Sequence, residues 1–460
     1  MIKVKNDIRP EDLSGGIDRV YEFSAQKIDS IEQSWQPGSG APVFTIQGKY
    51  TARGWTEWTQ GFQYGSAVLQ FDATGDEKYL NIGRDRTVDS MASHVTHFGV
   101  HDHGFNNVST YGNLLRLMRE GKTPDNAWEG HFYELALKAS GAVQARRWTD
   151  LGQGRGYIYS FNGPQSLFAD TVRSLRALAV AHSLGHCLMG EKDAKISLLG
   201  RLIEHAKTTA EYSVYYGEGR DAYDVRGRVA HESIFNLNDG SYRCPNSQQG
   251  FSPFTTWTRG LAWVMLGYTE QLEYIETLPE DDFVSFGGKQ SVIDMMLKAA
   301  CASCDFYLEH TPVDGVPYWD TGAPDLYRLG DYLDKPADPF NDHEPVDSSA
   351  AAIGAQGLLR LGRYLKDSNP QAAARYWQAG LTVAQTLMQE PYLSPSSDHQ
   401  GLLLHSVYHR PNGWDFVPEG RRVPCGESSM WGDYHLRELA LYLKRIINNE
   451  KYYAFFWAVQ

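Results

Sequence analysis

The sequence predicts an all-α fold of the (α/α)6 type, a toroid of six helical hairpins, and three observations carry that expectation. Several segments repeat one pattern: an apolar helix-like stretch, a short polar turn with Gly and Asp or Glu, then a second amphipathic stretch. Apolar residues recur at three- and four-residue intervals, while the alternation of a half-buried strand is sparse. Long loops rich in aromatic residues, Gly, Asp, Asn and Pro occupy 149–165, 216–254 and 312–345. An open solenoid would have short, uniform connections, whereas long loops gathered on one rim of a closed toroid suggest a cleft.

The elements follow in order. A first helix is expected near 16–34, then a hairpin over 58–86, WTQGFQYGSAVLQFDATGDEKYLNIGRDR, with its turn at GDEKY. Helices near 107–120 and 126–149 precede a second hairpin at 166–201, in which GEKDA takes the place of GDEKY. Helical periodicity resumes at 256–276, 290–308, 348–365, 371–389 and 428–444, giving about twelve helices in all. Within 348–365, Leu358, Leu359, Leu361 and Leu365 fall at helical intervals, and Ala350, Ala351, Ala352, Gly354 and Ala355 permit close packing against a neighbour. No linker-like composition separates two halves, so a single domain over 1–460 is expected.

Composition sets limits on function. With 460 residues, 42% hydrophobic and 22% charged, the chain can bury a large core and is neither disordered nor a disulfide-stapled scaffold. Its net charge of −13, from 43 basic and 56 acidic residues, argues against a nucleic-acid partner. An anionic ligand would need a locally basic or donor-rich pocket. The five cysteines, Cys187, Cys244, Cys301, Cys304 and Cys425, form no framework and fit a reducing compartment. The opening MIKVKNDIRPEDLSGG lacks a signal-like apolar core and no run reaches membrane-spanning length, so a cytoplasmic protein without membrane contact is expected.

Candidate chemistry begins at GVHDHGFNNVSTYG, where Asp102 stands between His101 and His103 at a helix entrance. A helix cap is the commoner role for such an Asp. A second carboxylate, Asp170, falls inside the apolar helical stretch SLFADTVRSLRAL, where an uncompensated charge is costly unless it faces a polar cavity; pairing with Arg173 is the plain alternative. From His231 the chain runs HESIFNLNDGSYRCPNSQQGFSPFTTWTRGLAW, with Gln249 ahead of a helix bearing Arg259 and Trp263. These last two, four apart, share a helical face and could hold a sugar acid, the cation on its carboxylate and the ring on its apolar face. Cys301 and Cys304 sit within a helical pattern without a second pair, and HDH lacks ligand spacing, so no metal or cofactor is expected.

Further segments complete an ordered series: GWTEWTQGF at 54–62, VPYWDTGAPD at 316–325, PVDSSAAAIGAQGLL at 345–359, GLLLHSVYHRP at 401–411 and SSMWGDYHLRELALY at 428–442. The series resembles the unsaturated glucuronyl hydrolases, glycoside hydrolase family 88, and more distantly the unsaturated rhamnogalacturonyl hydrolases of family 105. The likeness runs from about Trp55 to Leu443 and is strongest at QGFSPFTTWTRGLAW, with His231 eighteen positions before Gln249 and Arg259 ten after it. The stretch HDHGFNNVSTYGNLLRLMREG and the extra-looking YYGEGRDAYDVRGR depart from the family pattern and bear on substrate specificity.

The resemblance implies an (α/α)6 barrel without metal. It also implies removal of a 4,5-unsaturated uronic acid from the non-reducing end of lyase-generated oligosaccharides, by hydration of the C4=C5 enol ether. It assigns Asp170 as general acid and base, with a raised pKa expected from aromatic walls and a neighbouring carboxylate. Asp102 becomes its partner carboxylate. His101, His231, Gln249 and Arg259 become substrate-binding residues, with Trp58 and Trp263 as stacking faces. An exo-β-glucuronidase acting on saturated glucuronic acid on the same barrel stays open, as does a non-catalytic carbohydrate-binding toroid. A uronic-acid-containing oligosaccharide is the expected partner, and a homo-oligomer is left open.

Overall fold

The structure, a computed structural model, describes residues 1–5, 7–36, 38–54 and 57–456. Trp55, at the start of the family likeness, and 457–460, at the end of the expected domain, lie outside the described residues.

Fifteen α-helical segments among the described residues assemble into a double ring. They are α1 (Ser14–Ser34), α2 (Gln60–Thr74), α3 (Glu77–Ser90), the short α4 (Ala92–Val95), α5 (His103–Asn107), α6 (Asn113–Arg119), α7 (Ala127–Arg146), α8 (Thr171–Ser174), α9 (Arg176–Ser183), α10 (Leu198–Tyr212), α11 (Thr258–Glu276), α12 (Lys289–His310), α13 (Ser348–Tyr364), α14 (Pro370–Leu387) and α15 (Met430–Ile447). A π-helical turn, Val108–Gly112, joins α5 to α6, so the two run on as one irregular helix. The inner ring is α2, α5–α6, α8–α9, α11, α13 and α15, and it closes where α15 packs on α2. Outside it, α1 lies on α15 and α2, α3 on α2, α7 on α9, α10 on α9, α12 on α11 and α14 on α13. This is the (α/α)6 toroid expected from the hairpin pattern.

Local sequence signals set many of the boundaries. Gly75 ends α2 at φ 72°, and Asp76 accepts a hydrogen bond from the Lys78 amide to begin α3, which is the GDEKY turn. Asn126, Ser197, Asp347, Asn369 and Ser429 cap α7, α10, α13, α14 and α15 in the same manner. The apolar faces meet in one hydrophobic cluster that runs through both rings. No helix among the described residues is long and apolar enough to cross a membrane.

The expected hairpin over 166–201 is corrected. Ser166–Phe168 is a strand, Asp170 precedes α8 rather than sitting inside a helix, and α10 begins only at Leu198. Among the described residues the loops carry nine short strands: β1 (Pro42–Ile46), β2 (Lys49–Ala52), β3 (Trp148–Gly152), β4 (Arg155–Ile158), β5 (Ser166–Phe168), β6 (Leu188–Met189), β7 (Lys195–Ile196), β8 (Glu232–Phe235) and β9 (Tyr242–Asn246). β5, β8 and β9 form an antiparallel sheet in that order. The other strands pair as hairpins.

Two glycines fix α5 between its neighbours. A Cβ on Gly61 would meet the Asn106 carbonyl oxygen at 2.2 Å, and one on Gly104 would meet that of Ser174 at 2.1 Å. Side-chain hydrogen bonds hold the same contacts, Gly61 N–H to Asn106 Oδ1 at 2.8 Å and Gly104 N–H to Ser174 Oγ at 3.0 Å. Gly104→Ala is therefore expected to lower unfolding stability by about 2 kcal/mol in a urea titration, through overpacking of α5 against α8.

Candidate active site

The β5–β8 pairing builds the site. Phe168 pairs with Glu232, and the Ala169 N–H donates to the His231 carbonyl at 2.9 Å, so Asp170 and His231 leave adjacent strands side by side. Asp102 reaches the same place from the other direction, at the start of α5, and its carboxylate makes no capping bond. Between the carboxylates stands His101, whose Nε2 is 3.6 Å from Asp102 Oδ1 and 3.8 Å from Asp170 Oδ1. Asp102 and Asp170 are each 7% exposed and His101 1%, so all three charges are largely withdrawn from water. The His101 carbonyl is fixed from behind by Gln144 Nε2 at 2.8 Å and Ser174 Oγ at 2.7 Å.

This geometry splits the two carboxyl groups. Burial, and secondarily the charge of Asp170, push the Asp102 pKa up against the pull of His101 and Arg147. Burial also acts to raise Asp170, but His101, His231 and Arg259 outweigh it and hold the group below its ordinary value. His101 is itself lifted above 6.5, because its two carboxylates overcome its own desolvation. The raised pKa expected for Asp170 is thus corrected: no local pattern in the chain signals the imidazole that faces it. Among the described residues, Asp170 Oδ1, both His101 ring nitrogens and His231 Nε2 are buried without a hydrogen-bond partner.

His231 is pushed down to about 4, chiefly by burial. Its Nδ1 accepts from the backbone N–H groups of Gln248 at 3.1 Å and Gln249 at 3.3 Å, so the proton sits on Nε2, which becomes a neutral donor. Gln249 turns its Oε1 to Arg259 Nη2 at 3.3 Å, leaving its amide NH2 as a second donor. Arg259 is 1% exposed and strongly anchored, with Nε 3.3 Å from Asp347 Oδ2 and Nη2 donating to the Tyr408 carbonyl at 2.7 Å. Its Nη1 has no hydrogen-bond partner among the described residues.

The expected pairing of Arg259 with Trp263 is corrected. The guanidinium lies between the rings of Trp257 and Trp431, 4.6 Å from each centroid. Side chains on a helix lean toward its N-terminus, so Arg259, in the first turn of α11, reaches up out of the barrel. Trp263 lies one turn deeper, 1% exposed, packed on Phe105 at 4.8 Å and His435 at 4.9 Å, and offers no open stacking face. Trp58 is half-buried and stacks on Trp431 at 5.0 Å.

Several residues at the site carried no assigned role in the sequence. Asp347 caps α13 through Oδ1 and holds Arg259 through Oδ2. Trp431, Tyr408 and Trp414 form an aromatic wall on which Arg53 stacks, 4.2 Å from Trp414 and 5.3 Å from Tyr408. Phe161 and Phe168 enclose the His101 ring. Asp347, Tyr408 and Trp431 lie in the quoted motifs DSSAAAI, HSVYHRP and WGDY, the one signal that could have found them.

No family model matches the chain. The unsaturated glucuronyl hydrolase of Formosa agariphila is 25% identical over 389 residues, covering 83% of this chain and 78% of that protein. The enzyme of the same name from Bacillus sp. strain GL1 is 25% identical over 404 residues, 86% of this chain and 89% of that one. In structure, the Bacillus sp. GL1 unsaturated glucuronyl hydrolase superposes with a TM-score of 0.70 at 22% identity, covering 94% of this chain and 97% of that one. A heparin-specific unsaturated glucuronyl hydrolase gives 0.72 at 20% identity, covering 95% and 98%. The chain is unsaturated glucuronyl hydrolase-like. The structural likeness matches the (α/α)6 architecture described above.

In this hydrolase-like chain, Asp347→Ala removes both the cap of α13 and the counter-ion of a buried guanidinium. The expected loss is about 3 kcal/mol or more of unfolding stability, read from a urea titration, against about 1 kcal/mol for a cap alone.

Proposed function

We propose that the protein is a glycoside hydrolase that removes a non-reducing-end 4,5-unsaturated uronic acid from oligosaccharides by hydrating its C4=C5 enol ether. Curated relatives bear the names unsaturated glucuronyl hydrolase and unsaturated chondroitin disaccharide hydrolase. A Streptococcus agalactiae structure with a TM-score of 0.63 holds dGlcA-GalNAc6S. The observation that carries the proposal is the His101 bridge between one carboxyl of raised and one of lowered pKa, with unpartnered donors beside it. A pair of groups pushed apart in this way separates the acid and base roles of a proton-transfer reaction.

In this proposal the uronate carboxylate binds Arg259 Nη1, the Gln249 amide and His231 Nε2, while Trp58 covers the ring face. Two of these groups, His231 and Arg259, act with His101 to depress the pKa of Asp170. A bound anion offsets the positive charge of Arg259 and His101 and excludes water, so the proton affinity of Asp170 rises and His101 passes it a proton. Asp170 then protonates C4, leaving a cation at C5 shared with the ring oxygen. Water attacks C5 and returns its proton to Asp170, one group serving as acid and then base. The product is a C5 hemiketal that opens to a ketone and releases the aglycone from C1 as an alcohol. Asp102, as the carboxylate on the other side of His101, accepts hydrogen bonds from sugar hydroxyls and raises the proton affinity of His101.

The test is absorbance at the enol-ether band with an unsaturated uronyl disaccharide, with p-nitrophenyl glucuronide in parallel. Loss of absorbance that falls by about 10² to 10⁴-fold in Asp170→Asn is the expected outcome. Release of nitrophenol without absorbance loss would point instead to cleavage of saturated glucuronides. The pH profile gives a second prediction. The relay needs protonated His101, so kcat/KM is full below the raised pKa of His101 and is lost as pH rises through it, above 6.5. His101→Gln is expected to abolish that alkaline limb together with about 10²-fold of kcat.

A further inference from the structure

The outer helix α7 carries a feature unrelated to the site. Trp128, Phe132 and Leu135 are 86%, 42% and 66% exposed. They begin a stripe spaced by four and three residues that continues through half-buried Ala139 and Ala142 to exposed Arg146. The other large exposed apolar side chains, such as Val284 and Tyr327, are scattered over other elements. The three large residues together present roughly 400 Å² of apolar surface, at the size where a patch on a single chain marks an interaction site.

The order of residues along the stripe identifies its occupant. The large side chains lie in the N-terminal half of α7 and the small ones in the C-terminal half. A second copy of the same helix, laid antiparallel across a two-fold axis, sets Leu135 against Ala139, Phe132 against Ala142, and Trp128 against Arg146. Each layer joins one large and one small or cationic side chain, so both halves interlock without overpacking. Arg146 makes no ion pair among the described residues and is free to lie on the indole face. Of the carboxylates on α7, Glu129 accepts from the Tyr133 hydroxyl and Glu134 is paired with Arg119 at 2.5 Å and Lys138 at 3.6 Å, so neither stands unpartnered against the contact. Two patches bury roughly 800 Å² of apolar surface, about half of a standard protein interface, and flanking polar residues would supply the rest.

We propose that the protein forms a two-fold homodimer through antiparallel α7 helices, with Leu135 beside the axis and Trp128 stacked on Arg146 of the second copy. Sedimentation velocity from nanomolar to high-micromolar protein tests it, together with Leu135→Glu and Trp128→Ala. The expected result is a concentration-dependent dimer that Leu135→Glu converts to monomer and that Trp128→Ala weakens by about 30-fold or more in Kd. Far-UV circular dichroism and the melting temperature establish that each variant remains folded, and Trp128→Ala, at the most exposed position, serves where Leu135→Glu does not fold. A wild-type protein that stays monomeric throughout overturns the proposal. So does a dimer that survives both substitutions.

Discussion

The structure depends on a group of charges buried on the axis of the barrel, below the site. Arg173 on α8 places Nε 2.9 Å from Glu270 of α11 and Nη2 3.1 Å from Glu438 of α15. Arg176 lies 3.7 Å from Glu438, while Arg360 on α13 lies 4.0 Å from Glu270 and 2.6 Å from Glu273. All six residues are at most 9% exposed. Such pairs need not add net stability over a packed apolar core, but removing one partner leaves an uncompensated charge at about 3–5 kcal/mol. The network therefore fixes the relative placement of four inner elements more than it strengthens the fold.

That placement is what the site uses. Arg173 is three residues beyond Asp170, so the anchor of α8 in the barrel axis sets where the Asp170 carboxylate emerges. From the opposite side, Gly104 lets α5 approach the Ser174 backbone and so brings Asp102 toward the same spot. Glu270, in turn, lies on the helix that carries Arg259 at its first turn. The buried charges and the cleft groups are thus two ends of the same helices, the deeper end locked by ion pairs and the upper end free to present side chains.

How much of this the sequence disclosed follows from the range of each interaction. Helices declare themselves over many residues of periodic pattern, so the hairpin over 58–86 with its GDEKY turn and the helices at 256–276, 348–365 and 371–389 are legible directly. β5 has only three residues, and its partner lies 64 positions on, so no local signal distinguished it from the start of a helix. For that reason the sequence alone places Asp170 in a helix interior. The reading of Arg173 as its surface partner failed on the same point, because the guanidinium turns to Glu270 and Glu438 instead. Arg259 and Trp263 do share a helix, but i to i+4 spacing does not say which side chain leaves the barrel and which fills it. The direction of the Asp170 pKa shift depends on His101, brought opposite it by tertiary contact alone.

The charge balance of the chain gives the proposed reaction its selectivity. A net charge of −13 repels an anionic sugar at long range, yet surface charges are screened within about 8–10 Å at ordinary ionic strength. Inside the cleft, Arg259 and His101 act at contact distance and in a poorly polarisable setting, where each charge weighs far more. Asp347 holds Arg259 in position without occupying Nη1, so the cation stays available. In the proposed reaction, the same positive groups that attract the uronate hold Asp170 unprotonated until the uronate arrives. A neutral sugar could fill the aromatic cleft, but it would leave that charge uncancelled and Asp170 without its proton. Recognition of the carboxylate is in this way exerted on the proton-transfer step as well as on binding.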